Sequence, residues 1–437
     1  MIKMKDSGIP WIGQIPENWE FAKYKFFASF YNGNSIKDEE KKEFEEITNT
    51  PYISTKDIDK ENSKINYNNG LYIKEKDIDF RIAHKDSCLI CIEGGSAGKK
   101  IGFLTKNVAF VNKLCCVNPK MINDKFSYYI LLSDYFNTNF NLLLSGLIGG
   151  VTVNQIKNIN IAIPPKEIQQ KIVEILDKKC GQIDELVRIE ENEIEKLKEY
   201  KTSLITKVVT KGLDPNAKMK DSGIPWIGQI PESWITIKIK FTSWLKGRIG
   251  WDGLKSSEFK EDGPFLITGT DFNNGNIKWD TCAHITEERF MEDELLHVKE
   301  GDLLITKDGT IGKLAIVKNC PEKVSLNSGV MIIRNNSNWT YDNKYLYYIL
   351  LSNQFYLWYE KSQNGNSTIK HLYQEQFYNF EFSYPNILYQ KRIVAYLDNK
   401  CEEIDNLIKI KQEKIEKLKE YKKSLIYQYV TGKKEVI

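Results

Sequence analysis

The feature that most constrains this 437-residue chain is that it is written twice. MKDSGIPWIGQIPENW at 4–19 returns as MKDSGIPWIGQIPESW at 219–234, identical at fifteen of sixteen positions. KIVEILDKKCGQIDELV at 171–187 returns as RIVAYLDNKCEEIDNLI at 392–408, and EKLKEYKTSLI at 195–205 as EKLKEYKKSLI at 416–426. Both halves therefore run in one order: a short motif, a variable stretch of about 150 residues, and a long polar-apolar stretch. Self-similarity at a fixed period is the signature of a repeated structural unit, so one fold must serve twice.

The variable stretches resemble each other in outline. SCLICIEGGSAGK at 87–99 aligns with GDLLITKDGTIGK at 301–313, and PYISTKDI at 51–58 parallels PFLITGTDF at 264–272. AFVNKLCCVNP at 109–119 parallels VSLNSGVMIIRN at 324–335. Short β-branched and aromatic runs broken by Gly, Asn and Asp predict strands and turns. KFSYYILLSDYF and KYLYYILLSNQF have helical spacing. Each variable stretch reads as one compact domain of mixed helix and strand.

Residues 166–211 and 387–430 lack Pro, and Gly181 is the one glycine inside either. Leu176, Cys180, Ile183, Val187, Ile194, Leu197, Leu204 and Val208 recur at steps of four and three with one step skipped at 190 and one at 201, as do their counterparts 221 residues later. That is a heptad seam. Forty-five helical residues span roughly 65 Å and cannot bury such a stripe alone. The second copy is the obvious partner, and chain order requires it to run antiparallel. The fold class expected is α+β: two mixed α/β domains at 1–165 and 213–385, separated by a long antiparallel two-helix coiled coil at 166–212 and 386–437, with a pseudo-two-fold internal repeat. The seam breaks at Glu190 and Lys411 and at Lys201 and Lys422. If Glu190 faces Lys411, facing positions have a constant index sum of 601. Leu176 then meets Leu425, Ile183 meets Leu418, Ile194 meets Leu407, Leu197 meets Ile404 and Leu204 meets Leu397.

Composition excludes little. The apolar share of 41% and the charged share of 28% describe an ordinary globular protein. The net charge of +3 is no nucleic-acid signal by itself. No apolar run of membrane-spanning or signal-peptide length is present, so a cytoplasmic location is expected. Cys88 and Cys91 form a lone C-x-x-C without a second pair at metal-site spacing. These two, like Cys115 and Cys116, read as buried reduced thiols in strands. The four histidines, His84, His284, His297 and His371, show no ligand spacing. No NPPY or DPPY string occurs, and IAIPPK at 161–166 marks a strand-to-helix boundary. No dinucleotide or phosphate-loop glycine pattern occurs; EGGSAGKK at 93–100 lacks its spacing. The chain reads as non-enzymatic, with no metal or cofactor of its own.

The duplicated DSGIPWIGQIPE, KDGTIGK at 307–313, GRIGWDGL at 247–254 and the two IVxxLDxKCxxID segments together resemble the specificity subunits of type I restriction-modification systems. The resemblance extends over essentially the whole chain. It implies two target-recognition domains, each reading one half of a bipartite, gapped site on double-stranded DNA. It implies two methyltransferase subunits, which would hold S-adenosylmethionine, and restriction (motor-nuclease) subunits, which would use ATP and magnesium. In the first domain GGSAGK stands where the second has GTIGK, and nothing matches GRIGWDGL. A two-headed protein scaffold without DNA is the alternative from another class.

Base reading needs polar side chains on tight turns, with cations and backbone amides for phosphates. In the second domain this points to Arg248 and Trp251 in a Gly-flanked loop, and to Thr310 and Lys313 on the KDGTIGK turn. It also points to Gln363, Asn364, Asn366, Ser367, Lys370 and His371 in a polar loop. The first-domain counterparts are Ser96 and Lys99, with Thr55 and Lys56 as further candidates.

Overall fold

A computed structural model describes residues 3–9, 12–45, 48, 50–74, 79–144, 149–248, 253–336, 341–363 and 371–436. It divides into two compact units, residues 1–191 with 412–437, and residues 192–411. Each unit holds one variable stretch and a portion of both long helices, Lys166–Lys211 and Ile387–Val430.

The first unit is built on a four-stranded antiparallel sheet ordered Ala28–Asn32, Leu114–Pro119, Cys88–Cys91, Ile101–Phe103. Successive strand side chains point to opposite faces, and here both faces are covered. Cys88, Ile90, Cys115 and Val117 enter one core, while Leu89, Cys91, Leu114 and Cys116 enter another. That is why CLIC and LCCV read as unbroken apolar runs instead of alternating ones. It also disposes of the C-x-x-C as a metal clamp, because Cys88 and Cys91 lie on opposite faces of the strand. Burial pushes the Cys88 thiol well above its ordinary value and the Cys116 thiol up to about 11. A smaller sheet pairs Thr50–Ile53 in parallel with Val108–Phe110, and Glu20–Lys23 pairs with Asn160–Ile163.

The second unit repeats this plan. Its main sheet is ordered Ser243–Gly247, Val330–Asn335, Leu303–Thr306, Leu314–Ile316. Leu303, Ile305, Met331 and Ile333 enter one core, and Leu304, Val330 and Ile332 another. Lys260–Ile267 runs parallel to Val324–Leu326, and Ile235–Lys238 pairs with Glu381–Tyr384.

The helices are anchored identically in both units. The buried Gln169 donates from Nε2 to the Pro164 carbonyl at 2.8 Å, and its Oε1 accepts from the Asn123 amide at 2.8 Å. Gln390 makes the same pair of bonds, to Pro385 at 2.8 Å and from Asp342 at 3.0 Å. Asn123 and Asp342 cap the helices Asp124–Leu132 and Asn343–Leu351, so one buried amide ties the start of each long helix to its domain. Gly212, at φ +75°, stops the first long helix, its amide reaching the Val208 carbonyl at 3.0 Å.

Within the first unit, Ile172, Leu176, Cys180 and Ile183 share a core with Leu425, Ile426, Tyr429 and Val430. The same core contains Ile15, Trp19 and Tyr24 of the domain, so the seam continues the domain interior. Asp184 binds Lys422 at 2.6 Å and Glu190 binds Lys414 at 2.5 Å. In the second unit, Lys201 binds Asp405 at 2.7 Å and Glu193 binds Lys411. In each unit the index rises along one helix as it falls along the other, so the pairing is antiparallel. The index sums are 606 for the first member of each set and 604 for the second. The expected sum of 601 is therefore about one helical turn out. Leu407, expected opposite Ile194, is 48% exposed. The expectation matched apolar residues by type; the structure keeps the alternating step of a heptad seam, which 601 does not preserve across the pair.

Candidate nucleic-acid interface

In the second unit the hairpin between Leu303–Thr306 and Leu314–Ile316 carries Thr310 and Lys313. Its backbone is held by Thr306: the amide donates to the Lys313 carbonyl at 2.9 Å, and the carbonyl accepts from the Gly312 amide at 3.0 Å. The Thr306 hydroxyl donates to the Thr310 carbonyl at 2.6 Å and accepts from the Lys313 amide at 2.9 Å. Gly309 and Gly312 take φ of +66° and +85°, which side-chain-bearing residues rarely adopt. The turn leaves Thr310 and Lys313 exposed. Lys313 Nζ donates to the Gly269 carbonyl at 3.2 Å, joining this hairpin to the loop after Lys260–Ile267.

Two further expected residues reach the same turn. His371 Nδ1 contacts the Asp308 carboxylate, and the Leu372 amide donates to the Lys307 carbonyl at 2.9 Å. Gln363 Nε2 donates to the His371 carbonyl at 3.3 Å. Thr310, Lys313, Gln363 and His371 are thus one cluster. Trp251, Asn364, Asn366, Ser367 and Lys370 lie outside the described residues.

Arg248 requires a correction. It is 2% exposed, so no phosphate or guanine edge can reach its guanidinium. Its Nε donates to the Leu326 carbonyl at 3.1 Å and its Nη2 to the Ser325 hydroxyl at 3.4 Å, with Glu292 at 3.9 Å. Its own carbonyl accepts from Lys307 Nζ at 3.1 Å. Burial lowers the Lys307 pKa from its ordinary value. Arg248 is a strut beneath the turn: a Gly-flanked Arg looks like a surface clamp in sequence, but a guanidinium with five donors serves buried carbonyls equally well.

In the first unit the matching hairpin spans 91–100. The Cys91 amide donates to the Lys100 carbonyl at 2.9 Å and its carbonyl accepts from Gly98 at 2.8 Å, as Thr306 does with Lys313 and Gly312. Lys100 Nζ donates to the Thr55 carbonyl at 2.7 Å, as Lys313 does to Gly269. The structural counterpart of Lys313 is therefore Lys100 and not Lys99. The first hairpin is two residues longer, and matching GK strings hid the offset. Lys99 is exposed beside it, with Nζ 3.3 Å from the Gly95 carbonyl, and Ser96 is half-buried. Thr55 and Lys56 lie on the adjoining loop. That loop is closed by Asp57 Oδ2, which accepts from the Ser54 amide at 2.8 Å, as Asp271 does from Thr268 at 2.7 Å.

Among the described residues no group of three or more His, Cys, Asp or Glu could hold a metal ion, and no helix is long and apolar enough to cross a membrane.

Comparison with known proteins shows the family of both halves. The family model of the type I restriction modification DNA specificity domain matches residues 16–199 and 252–420, once in each half. The type I restriction enzyme MjaVIII specificity subunit of Methanocaldococcus jannaschii is 26% identical over 96% of this chain and 94% of its own length. The MjaX specificity subunit of the same organism is 27% identical over 97% and 95%. A solved chain from work on complex assembly and conformational transition of the type I R-M system superposes with a TM-score of 0.69. It shares 16% identity, with 96% of this chain and 99% of that chain covered. With both halves matched, the chain belongs to the type I restriction modification DNA specificity family.

Proposed function

We infer that this chain is the sequence-reading, non-catalytic subunit of a type I restriction-modification complex, and that each unit reads one half of a two-part site on double-stranded DNA. The observation that carries the reading is the matched loop pair: in both units a glycine-bent hairpin is tied by a lysine to the loop after the parallel strand. Exposed backbone amides, hydroxyls and lysines on one surface suit phosphates and base edges. Thr55, Lys56, Ser96 and Lys100 form the reading surface of the first unit, with Lys99 beside it; Thr310, Lys313, Gln363 and His371 form that of the second. Asn364, Asn366, Ser367, Lys370 and Trp251 are assigned to the second surface from sequence alone.

The partners are two methyltransferase subunits, which supply S-adenosylmethionine, and restriction subunits, which supply ATP and magnesium chemistry. Supporting this stoichiometry, each unit exposes the same apolar set: Leu186, Ile189 and Tyr421 in the first, and Leu407, Ile410 and Tyr200 in the second. Exposed apolar residues at matched positions suit two copies of one partner. The test is domain exchange. Replacing residues 20–165 with another subunit's stretch is expected to change one half of the methylated motif in the host and leave the other half. A change in both halves, or a motif without an unread gap, overturns the reading. No observation favours the DNA-free scaffold.

A further inference from the structure

We propose that Glu190, Glu193, Lys411 and Lys414 form a sorting code: they admit pairing of the first long helix with the second and penalise pairing of either helix with its own counterpart in another copy of this chain.

The need for a code follows from the repeat. Leu197, Leu204 and Ile205 of the first helix are matched by Leu418, Leu425 and Ile426 of the second. The apolar seam therefore presents nearly the same surface from either helix. The outer ion pairs do not discriminate either. Asp184 binds Lys422, whose repeat counterpart is Lys201; Asp405 binds Lys201, whose counterpart is Lys422. Exchanging one helix for the other leaves an aspartate opposite a lysine.

The inner pairs differ. In the first unit Glu190 binds Lys414, and the counterpart of Lys414 is Glu193. A second copy's first helix placed there would set glutamate against glutamate. In the second unit Lys411 binds Glu193, and the counterpart of Glu193 is Lys414. A second copy's second helix placed there would set lysine against lysine. Glu190 is only 5% exposed, so a glutamate set opposite it would bring like charges together at a largely desolvated position, which is far costlier than losing an exposed pair. Both glutamates lie on the first helix and both lysines on the second, so each correct pairing is attractive and each like-with-like pairing repulsive.

The test uses the full chain and separates sorting from stability. In E190K/K414E the ion pair is kept but reversed, and each incoming residue is the one its repeat counterpart already holds. Like-with-like pairing then becomes attractive in both helices. After denaturation and refolding over a range of protein concentrations, native mass spectrometry reads the exchanged dimer. The variant is expected to reach half-dimer at a concentration about tenfold below wild type, with its monomer melting within a few degrees of wild type. E193K/K411E, which reverses the other pair, is expected to behave alike and covers the case in which the first variant folds poorly. Equal dimer fractions in wild type and both variants, none in any of them included, overturn the proposal.

Discussion

The two heads of this chain solve one structural problem in different ways. Strand register makes Gly33 the counterpart of Arg248, Ile92 that of Lys307, and Phe110 that of Leu326. In the second head the Leu326 carbonyl is capped by the buried Arg248 side chain, with Lys307 supporting Arg248 from below. In the first head a backbone amide, that of Asn34, reaches the Phe110 carbonyl at 2.9 Å, and Gly33 lies so close that no side chain fits. The carbonyl must be satisfied in either case, because a buried acceptor without a partner is costly. The lesson is that the fold preserves a hydrogen bond while leaving its donor free to change.

The largest expected effect tests the first head. A Cβ at position 33 would stand 1.7 Å from the Phe110 oxygen, so Gly33→Ala is expected to cost about 4 kcal/mol or more. Thermal unfolding with limited proteolysis should show residues 20–165 opening first; a melting temperature close to wild type would mean that Gly33 is not held against the Phe110 carbonyl. Next, Arg248→Ala strands the Leu326 carbonyl and is expected to cost about 3 kcal/mol. Its DNA affinity should keep the salt dependence of wild type. A salt slope shallower by about 1 would restore Arg248 as a phosphate contact. The smallest effect sharpens the match between hairpins. Lys100→Ala and Lys313→Ala should each weaken DNA binding and lower the salt slope by about 1, whereas Lys99→Ala should leave the slope alone. A response from Lys99 and none from Lys100 would favour string matching over hydrogen-bond matching.

Each of these features was legible in the residues to a different depth. Repeated motifs are legible because near-identical strings must fold alike, and the heptad steps named the helix faces before any packing was seen. Glu190 and Lys411 were legible as seam interruptions, but the ion pairs Glu190–Lys414 and Glu193–Lys411 were not, because facing residues in an antiparallel pair are set by packing from both helices at once. Cys88 and Cys91 could be separated by counting, since an odd spacing in a strand puts them on opposite faces. Lys100 was hidden by a two-residue difference in hairpin length. The one signal for it was the second lysine in GKK, which acquires meaning only once the Cys91–Lys100 bond is seen. Arg248 was misread because solvent exposure is a tertiary property: the same GRIG string serves a surface loop or a buried strut.

By itself, the sequence determined that one unit is used twice, that each copy carries a mixed domain and a long seam-bearing helix, and that opposite charges interrupt the seam. These follow from local pattern, since periodicity and repetition are carried along the chain. Only the tertiary structure decided which charges meet, which lysine of GKK matches Lys313, and whether Arg248 faces water or a carbonyl. Each of those depends on distances between residues far apart in sequence, and such distances are fixed by the packing of whole cores.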